Sequence, residues 1–315
     1  KHMKKIQINT FGCKVNQYET QQIREYMERL GLQPCRNGDT ADLHIVNTCC
    51  VTHTASAKSR QYITRAVRRN PEAVVVVCGC LPTVRLGELP LDEHLEIVAN
   101  KDDLPAALNR IVASRTGCSL SDDPRLPPLR SFSDHTRAFL KVQDGCDGHC
   151  TYCIVPTTRP HVSSRPTEEI LDEARSLVEA GHKEIVLTGV FLGAYGMPTV
   201  RRRNWPAQQN DKLAYLLDRI ARTPGLARIR LSSLEPADVT DSLLDVLANH
   251  SNIMPHLHLP LQSGSSCILK RMARQYTAAQ FTEQIDRVRS RLDRPAITTD
   301  IIVGFPGETD ADFEQ

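Results

Sequence analysis

The stretch Ala73-Val74-Val75-Val76-Val77-Cys78 is the most informative part of the sequence for the fold. A run of β-branched residues of this length favours a strand that is buried on both faces, as in a parallel sheet covered by helices. Similar apolar patterns on either side predict strands over 5–10, 42–48 and 95–99 and helices over 18–30, 54–69 and 103–114. The first 115 residues are therefore predicted to form a doubly wound parallel α/β sheet.

A second alternating series begins at Ala138. It predicts strands over 138–142, 184–188, 228–231, 256–261 and 296–303 and helices over 167–180, 211–222, 241–249 and 277–292. Five βα units with right-handed crossovers can curl into a barrel or part of one. The expected fold is thus an α/β domain over 3–115, a linker over 116–136 and a partial (βα) barrel over 137–315, truncated at its C-terminus.

We expect that neither end of the chain is a natural terminus. Lys1 and His2 are typical of a cloning remnant in front of a natural start at Met3. The last residue, Gln315, falls just inside an expected helix that follows Asp310, which suggests a truncated chain. The linker assignment rests on the three prolines, four serines and three aspartates between residues 116 and 136.

The charge balance of the 315 residues excludes several classes of protein. With 39 Lys and Arg against 37 Asp and Glu, the net charge of +2 excludes a uniformly basic nucleic-acid coat but permits a local basic face. The sequence has no run of 18 apolar residues and no charged-then-apolar leader. We therefore expect a cytoplasmic protein that does not associate with a membrane.

Eleven cysteines are the most unusual feature of the composition. In a reducing cytoplasm they are not expected to form structural disulfides, and an odd number cannot pair completely. Cys35, Cys118 and Cys267 are isolated and are interpreted as buried thiols. The other eight are bunched, which in an intracellular protein is typical of metal binding.

Three of the bunched cysteines, Cys146, Cys150 and Cys153, lie within eight residues directly after the first strand of the second domain. Three thiolates at this spacing can hold a [4Fe-4S] cluster and leave its fourth iron open to a small molecule. Two alternatives remain at this point. Cys150 and Cys153 alone form a CxxC redox pair, and His149 or His161 can complete a zinc site.

A second set is indicated by position. Cys13, Cys49 and Cys80 each follow a predicted strand of the first domain, and the carboxyl ends of parallel strands meet at one edge of a sheet. These three thiolates are expected to converge on a second metal site with one open position. The alternative is coincidental burial of small apolar side chains. The neighbours Cys50 and Cys78 can substitute for the preferred ligands, and the topology does not choose between them.

The residues around both cysteine sets resemble a known family. In the first domain they read Phe11-Gly-Cys13-Lys-Val-Asn-Gln17, Asn47-Thr-Cys49-Cys-Val-Thr52 and Gly79-Cys80-Leu81, as in the amino-terminal domain of the methylthiotransferases. Gln143-Asp-Gly-Cys146-Asp-Gly-His-Cys150-Thr-Tyr-Cys153 resembles the radical S-adenosylmethionine (SAM) motif of the same family. The first of these motifs is most similar to the branch that acts on N6-threonylcarbamoyladenosine in tRNA.

The resemblance implies a reaction in which a methylthio group is inserted at a C–H carbon of an anticodon-loop adenosine, at position 37 of tRNA. The barrel cluster would bind SAM at its open iron, and one electron, from a donor such as flavodoxin or ferredoxin, would cleave it to a 5′-deoxyadenosyl radical. A second [4Fe-4S] cluster, in the first domain, would hold the sulfur, and a further SAM would supply the methyl group. Cofactors carry such chemistry, while the protein supplies position and electrostatics.

The resemblance also implies which residues contact SAM. Backbone groups at Thr188, Gly189 and Val190 would meet the methionine amino group. Ser233 and Glu235 would reach the ribose or the methionine moiety, although a strand-capping serine and a surface glutamate are the structural alternatives. The cofactor set is completed by Gln262 beside the site and by Val303 and Gly304 beside the adenine.

Three basic features are candidates for RNA contact. One segment carries six basic residues and a single acid, Glu72, between positions 56 and 85: Lys58, Arg60, Arg65, Arg68, Arg69 and Arg85. The run Arg201-Arg-Arg203-Asn-Trp205 combines charge with the single tryptophan, which suits stacking on an extruded base. Arg159 and Arg165 follow the cluster loop. For each feature the alternative is an ordinary solvated surface or a surface salt bridge.

The sequence departs from the family pattern at three places. Cys50 stands where threonine is commoner, the segment 197–210 is longer than usual, and we expect the truncated chain to lack the family's C-terminal β-barrel RNA-binding domain. Two substrate alternatives are isopentenyladenosine in tRNA and an aspartate of a ribosomal protein. A different class of function is a non-catalytic, metal-containing RNA-binding module.

Overall fold

The computed structural model describes residues 3–36, 39–90, 92–116, 125–133, 135–202 and 210–315. The chain divides into two units, Lys1–Leu129 and Arg130–Gln315, so the division falls inside the predicted linker. Part of that linker is packed rather than free. Leu129 is buried in the first unit, whereas Phe132 packs edge-on against Phe139 in the second, with ring centroids 5.4 Å apart.

The first unit alternates strands and helices, except that the two-residue β2 is followed directly by β3. Its elements are β1 (Lys5–Thr10), α1 (Lys14–Arg29), β2 (Gln33–Pro34), β3 (Leu43–Thr48), α2 (His53–Arg69), β4 (Val74–Gly79), α3 (Leu81–Val84), β5 (Leu95–Ile97) and α4 (Leu104–Thr116). All five strands are parallel and lie in the order β2-β1-β3-β4-β5. The predicted doubly wound parallel sheet is confirmed.

The apolar pattern of β3 and β4 explains why they lie at the centre of this sheet. Ile8 of β1 pairs with Ile45 of β3, which in turn pairs with Val76 of β4. Ile45 and Val76 are fully buried because helices cover both faces of the sheet. Helix α1 begins at Lys14, four residues before its predicted start, because Gly12 turns the chain immediately after β1 with a φ of +103°.

The second unit continues the alternation. Its elements are β6 (Ala138–Asp144), α5 (Val155–Thr158), β7 (Ser163–Ser164), α6 (Thr167–Glu179), β8 (Glu184–Gly189), α7 (Lys212–Ala221), β9 (Arg228–Leu231), α8 (Asp241–Asn249), β10 (His256–His258), α9 (Ser266–Arg271), α10 (Ala278–Arg291), β11 (Ala296–Thr298) and α11 (Asp310–Phe313). In the described part of the chain, no helix is long and apolar enough to cross a bilayer.

Apart from the short β7, the strands of the second unit run in parallel and follow chain order, as a partial barrel requires. β6, β8 and β9 pair in one sheet, to which the two-residue β7 adds an antiparallel edge, and β10 pairs with β11 in a second sheet. An isolated bridge joins Ile229 of β9 to Ile253, three residues before β10. β11 ends at Thr298 rather than at Val303 as predicted, and beyond it a single bridge joins Gln262 to Ile301.

Candidate functional site

The strand order of the first unit places its preferred cysteines at one edge. In a sheet of order 2-1-3-4-5, ligands bind outside the carboxyl ends of the strands where the winding reverses, between the first and third strands. Cys13 leaves β1 and immediately precedes α1, and Cys49 leaves β3. Cys80 leaves the adjacent strand β4 and immediately precedes α3. The edge that binds ligands in such sheets therefore carries all three thiols.

Direct contacts tie the three cysteine loops together. A Cβ atom added to Gly12 would lie 2.6 Å from the Cβ and 2.7 Å from the Sγ of Cys49, so only glycine lets the first loop approach the second this closely. The backbone N–H of Cys80 donates to the carbonyl of Thr48 at 3.0 Å, which joins the third loop to the second.

Two asparagines of the family motifs support this edge. The Asn16 side-chain amide donates to the carbonyls of Phe11 (2.8 Å) and Thr48 (2.9 Å), and the Asn47 amide donates to the carbonyl of Asn16 at 3.0 Å. Buried amides of this kind fix loops because an unpaired polar group would be costly there. These asparagines therefore hold the loops of Cys13 and Cys49 in register.

The two alternative thiols of the first unit have other partners. Cys78 lies in β4 as part of the hydrophobic core. The Cys50 thiol donates to the carbonyl of Cys80 at 3.4 Å, and burial together with the nearby Cys80 and Cys49 raises the pKa of Cys50 to about 12. Cys13 is exposed, whereas Cys49 and Cys80 are buried. The preferred set thus has one solvent-facing member and two that are covered.

The barrel cysteines lie on one loop that backbone contacts close. The N–H of Cys146 donates to the carbonyl of Arg159 at 2.8 Å, and that of Cys153 donates to the carbonyl of Cys150 at 3.0 Å. Gly145 has a φ of +79°, and a Cβ atom there would lie 1.8 Å from the carbonyl oxygen of His161. The loop is therefore folded tightly at the end of β6.

Gln143, the first residue of the cluster motif, connects this loop to the next strand. Its side-chain amide donates to the carbonyls of Asp144 and Gly145 at 2.9 and 2.8 Å, and its carbonyl accepts from the N–H of Phe191 at 2.7 Å. Since Gln143 is buried, its hydrogen bonds fix the cluster loop relative to the turn after β8.

A cavity of about 500 Å³ opens beside the three barrel cysteines. This volume lies within the range of roughly 300–1,000 Å³ that is typical of small-molecule sites. The cavity wall includes four residues that the sequence predicted for SAM as well as all three thiols: Val190, Ser233, Glu235, Gln262, Cys146, Cys150 and Cys153. The structure thus brings together residues that are more than 100 positions apart.

The other four predicted cofactor residues do not line this cavity in the described structure. Thr188 is buried at the end of β8, followed by Gly189, directly before the lining residue Val190. Val303 is 62% exposed, and the N–H of Gly304 donates to the Glu308 carboxylate at 2.5 Å.

A chain of alternating charges forms one wall of the cavity. Of its members, the sequence analysis assigned only Glu235 to the cofactor site and considered Arg202 for RNA contact instead. Arg274 donates to the Cys150 sulfur at 3.1 Å and to the Glu235 carboxylate. Glu235 also lies 3.9 Å from Arg202, which pairs with the buried Asp238. Burial raises the pKa of Asp238 to about 6. Both guanidinium groups face the cavity, although Arg274 lies 121 residues after Cys153 with no local signal to link them.

The arginines that were considered for RNA contact mostly have intramolecular partners. Arg159 pairs with Asp144 at 3.0 Å, and Arg165 pairs with Glu173 at 2.6 Å. Their partners are buried, so these are not the surface salt bridges offered as the alternative. Arg201 donates through Nε to the Asp147 carbonyl at 2.7 Å. Arg202 pairs with Asp238, as described above, and the last three residues of that run, Arg203, Asn204 and Trp205, lie outside the described residues.

Burial disfavours the charged thiolate form of two of the barrel cysteines. Burial raises the pKa of Cys146 to about 11 and also raises the pKa of Cys153. Within the described ranges, no cysteine forms a disulfide bond, and no three His, Cys, Asp or Glu side chains converge on the position of a single metal ion. A four-iron cluster spans several metal atoms, so its ligands stand farther apart than those of one ion.

Comparisons with known proteins agree with this architecture. The family model "Radical SAM superfamily" matches residues 140–315, and the model "Uncharacterized protein family UPF0004" matches residues 5–99. Among solved structures, the radical S-adenosylmethionine methyltransferase TsrM from Kitasatospora setae superimposes with a TM-score of 0.65 and 15% identity, over 99% of this chain and 71% of TsrM. That likeness concerns the fold. The chain belongs to the radical SAM superfamily, whose members use SAM and a [4Fe-4S] cluster.

Similar sequences define the family more narrowly. The threonylcarbamoyladenosine tRNA methylthiotransferases MtaB of Bacillus subtilis and Thermotoga maritima are both 39% identical to this chain, over 99% of it and over 69% and 71% of their own lengths. The tRNA-2-methylthio-N(6)-dimethylallyladenosine synthase of Syntrophotalea carbinolica is 35% identical, over 99% of this chain and 73% of its own length. The chain is thus a member of the radical SAM methylthiotransferase family, and it is an enzyme of the transferase class.

Proposed function

We propose that this enzyme attaches a methylthio group to N6-threonylcarbamoyladenosine at position 37 of tRNA. The observation that carries the proposal is the presence of two separate cysteine triplets, each at the carboxyl edge of its own parallel sheet. Inserting sulfur at a C–H carbon needs one site to activate the carbon and another to hold the sulfur. The substrate follows the relatives that are 39% identical, whose names specify threonylcarbamoyladenosine.

The residues of the second unit fit a cluster with bound SAM. Cys146, Cys150 and Cys153 would supply the thiolates, and the cavity beside them presents both signs of charge to the amino-acid end of the ligand. Guanidinium groups of Arg202 and Arg274 suit its carboxylate, and Arg202 Nη1 is a buried donor without a hydrogen-bond partner in the described structure. When bound, this pair of cofactors supplies the radical that removes hydrogen from the adenine ring.

The remaining cofactor contacts are assigned by position. The backbone at Thr188, Gly189 and Val190 would receive the methionine amino group at the end of β8. Ser233 and Gln262, both on the cavity wall, would face the ribose. Val303 and Gly304 would flank the adenine through their backbone.

The first unit would hold the second [4Fe-4S] cluster on Cys13, Cys49 and Cys80. The exposure of Cys13 leaves one side of this site open to solvent, where a sulfur atom can be delivered and the RNA base can approach. We assign electron delivery to a small carrier such as flavodoxin or ferredoxin.

The decisive experiment is nucleoside mass spectrometry of tRNA from cells that lack this protein and then regain it. Restoration of 2-methylthio-N6-threonylcarbamoyladenosine by the wild-type chain and by Cys267→Ala, but not by Cys150→Ala, would support the proposal. Cys267 is exposed rather than buried as predicted, and it lies outside both triplets, so it is a matched control. Restoration of the methylthiolated isopentenyl nucleoside would transfer the assignment to that substrate. No change in tRNA, with modification of a ribosomal-protein aspartate, would refute it.

Metal analysis separates the enzyme from a non-catalytic RNA-binding module. Two four-iron clusters require about eight irons and matching sulfide per chain after anaerobic reconstitution. Zinc in place of iron would favour the binding module.

A further inference from the structure

Helix α2 and the segment after the short turn Leu86–Glu88 enclose a groove of about 770 Å³ in the first unit. The helix carries five Lys or Arg residues and no acid over its 17 residues. Four of its arginines line the groove: Arg60, Arg65, Arg68 and Arg69. Among the described lining residues, Glu88 is the single carboxylate.

Neutralisation of these charges within the protein is incomplete. Glu88 pairs with Arg60 and, at 3.2 Å, with Arg85, so its charge is already shared between two cations. Arg65, Arg68 and Arg69 are exposed, and in the described structure no carboxylate lies within 4 Å of their guanidinium groups. Because Arg65 stands three and four residues before the other two, the three like charges repel along one helix face. An anion in the groove would relieve that repulsion.

A role in stabilising helix α2 explains only two of the four arginines that line the groove. Arg68 and Arg69 lie in the last turn of α2, where cations stabilise the negative end of a helix. Arg60 and Arg65 lie further inside the helix, and their position in the groove has no such explanation. The groove therefore has more positive charge than the helix needs for its own stability.

We propose that this groove binds phosphates of the substrate RNA. Helix α2 begins four residues after Cys49, and at 1.5 Å per residue its arginines from Arg60 to Arg69 lie about 10 to 24 Å beyond the first residue of the helix. Phosphates of nucleotides distant from the modified base would occupy the groove and set the position of the RNA. This inference rests on the proposed function, in which the substrate is RNA.

The test compares two double variants with equal change in charge. Arg65→Gln with Arg68→Gln removes two positive charges from the lining of the groove. Arg110→Gln with Arg115→Gln removes two positive charges from α4 in the same unit. Each reconstituted protein is titrated with an unmodified anticodon stem-loop RNA over a range of salt concentrations. Thermal unfolding by circular dichroism confirms that both variants are folded, as expected for exposed side chains.

The association constant K falls as salt rises, so a plot of log K against log salt concentration has a negative slope. Loss of two phosphate contacts should make this slope less steep by about two. The ratio of wild-type to groove-variant affinity should then shrink about tenfold between about 50 mM and about 200 mM salt, while the α4 variant stays close to wild type.

Equal slopes for the two variants would overturn the groove assignment and leave the proposed function standing, provided that saturating RNA is still methylthiolated. Failure of wild type to bind RNA would overturn both. Displacement of RNA by polyglutamate from wild type but not from the groove variant would assign the groove to an acidic protein instead.

Discussion

Each of the two cysteine triplets supplies three thiols, but the chain brings the three thiols together in a different way in each. Cys146, Cys150 and Cys153 lie on one loop, which is closed by local backbone hydrogen bonds and joined to the rest of the barrel by a few longer-range ones, such as that from the Thr151 N–H to the Met272 carbonyl. Cys13, Cys49 and Cys80 come from three loops that meet only because β1, β3 and β4 are adjacent and parallel. A local site survives wherever its loop is closed, whereas a dispersed site exists only when the whole sheet has formed. The two sites should therefore respond differently to substitution.

The largest effect is expected from the local triplet. Cys146→Ala, Cys150→Ala or Cys153→Ala should each reduce SAM cleavage to background, because a cubane held by two thiolates is insufficiently anchored. Formation of 5′-deoxyadenosine after anaerobic reconstitution measures this, with Cys267→Ala as the control. Substantial cleavage in all three variants would exclude these cysteines as ligands.

Replacing Cys13, Cys49 and Cys80 together should separate the two activities. The variant should still produce 5′-deoxyadenosine but no methylthiolated nucleoside, because the barrel cluster keeps its own ligands. Since metal binding can contribute to folding, circular dichroism must first show that the variant is folded. A folded variant that still methylthiolates RNA would refute the two-cluster mechanism.

Gly145→Ala should disturb the local loop without touching a thiol. The new Cβ atom would clash with the His161 carbonyl and force a strained backbone, which we expect to cost about 3 kcal/mol in the free energy of unfolding. Gly181→Ala is the matched control, since Gly181 has a φ of +101° but open space around it; a cost of about 1 kcal/mol is expected. Urea unfolding of the two variants checks the difference, and equal costs would show that the contact with His161 is unimportant.

Arg274→Gln should tune the barrel cluster rather than remove it. Loss of a cation that donates to the Cys150 sulfur should shift the reduction potential to more negative values and slow SAM cleavage about tenfold. Arg274→Lys, which retains the charge, should shift the potential less. Redox titration followed by electron paramagnetic resonance measures the shift, and an unchanged potential in both variants would rule out this role.

The smallest effect is expected at Cys50, the thiol next to Cys49 of the triplet formed by Cys13, Cys49 and Cys80. Cys50→Thr should leave the iron content unchanged, because a hydroxyl can also donate to the Cys80 carbonyl, while Cys49→Ala should halve it. The number of iron atoms per chain, measured for both variants, tests this prediction. The opposite pattern would make Cys50 the ligand.

The same contrast explains what the sequence could predict. The strands and main helices follow from apolar periodicity, which is a local property, so β4 and its neighbours were predicted to within a few residues. Two-residue strands such as Gln33–Pro34 and Ser163–Ser164 have no periodic pattern and are created by pairing with a neighbour. They could not be predicted from sequence.

The site shows the same division between local and non-local signals. Cysteine spacing indicates the barrel triplet, the position of Cys13, Cys49 and Cys80 after predicted strands indicates the other, and the family resemblance together with strand ends indicates Ser233, Glu235 and Gln262. Arg274 and Arg202 reach the cavity through tertiary folding, and nothing in their flanking sequences distinguishes them from surface arginines. Arg202 was considered as part of an RNA-binding run, but its guanidinium pairs with the buried Asp238 instead. Partner identity, unlike periodicity, depends on residues far along the chain.

The backbone hydrogen bond from Cys146 to the carbonyl of Arg159 closes the cluster loop, and the Gln143 side chain holds the closed loop against the turn after β8. Ordering of that loop is therefore a part of folding, and insertion of iron and sulfide need not impose it. Synthesis of the polypeptide and loading of its metal become separate events. The polypeptide itself thus restricts the loop that would hold the barrel cluster, which reduces the ordering entropy that metal loading has to overcome.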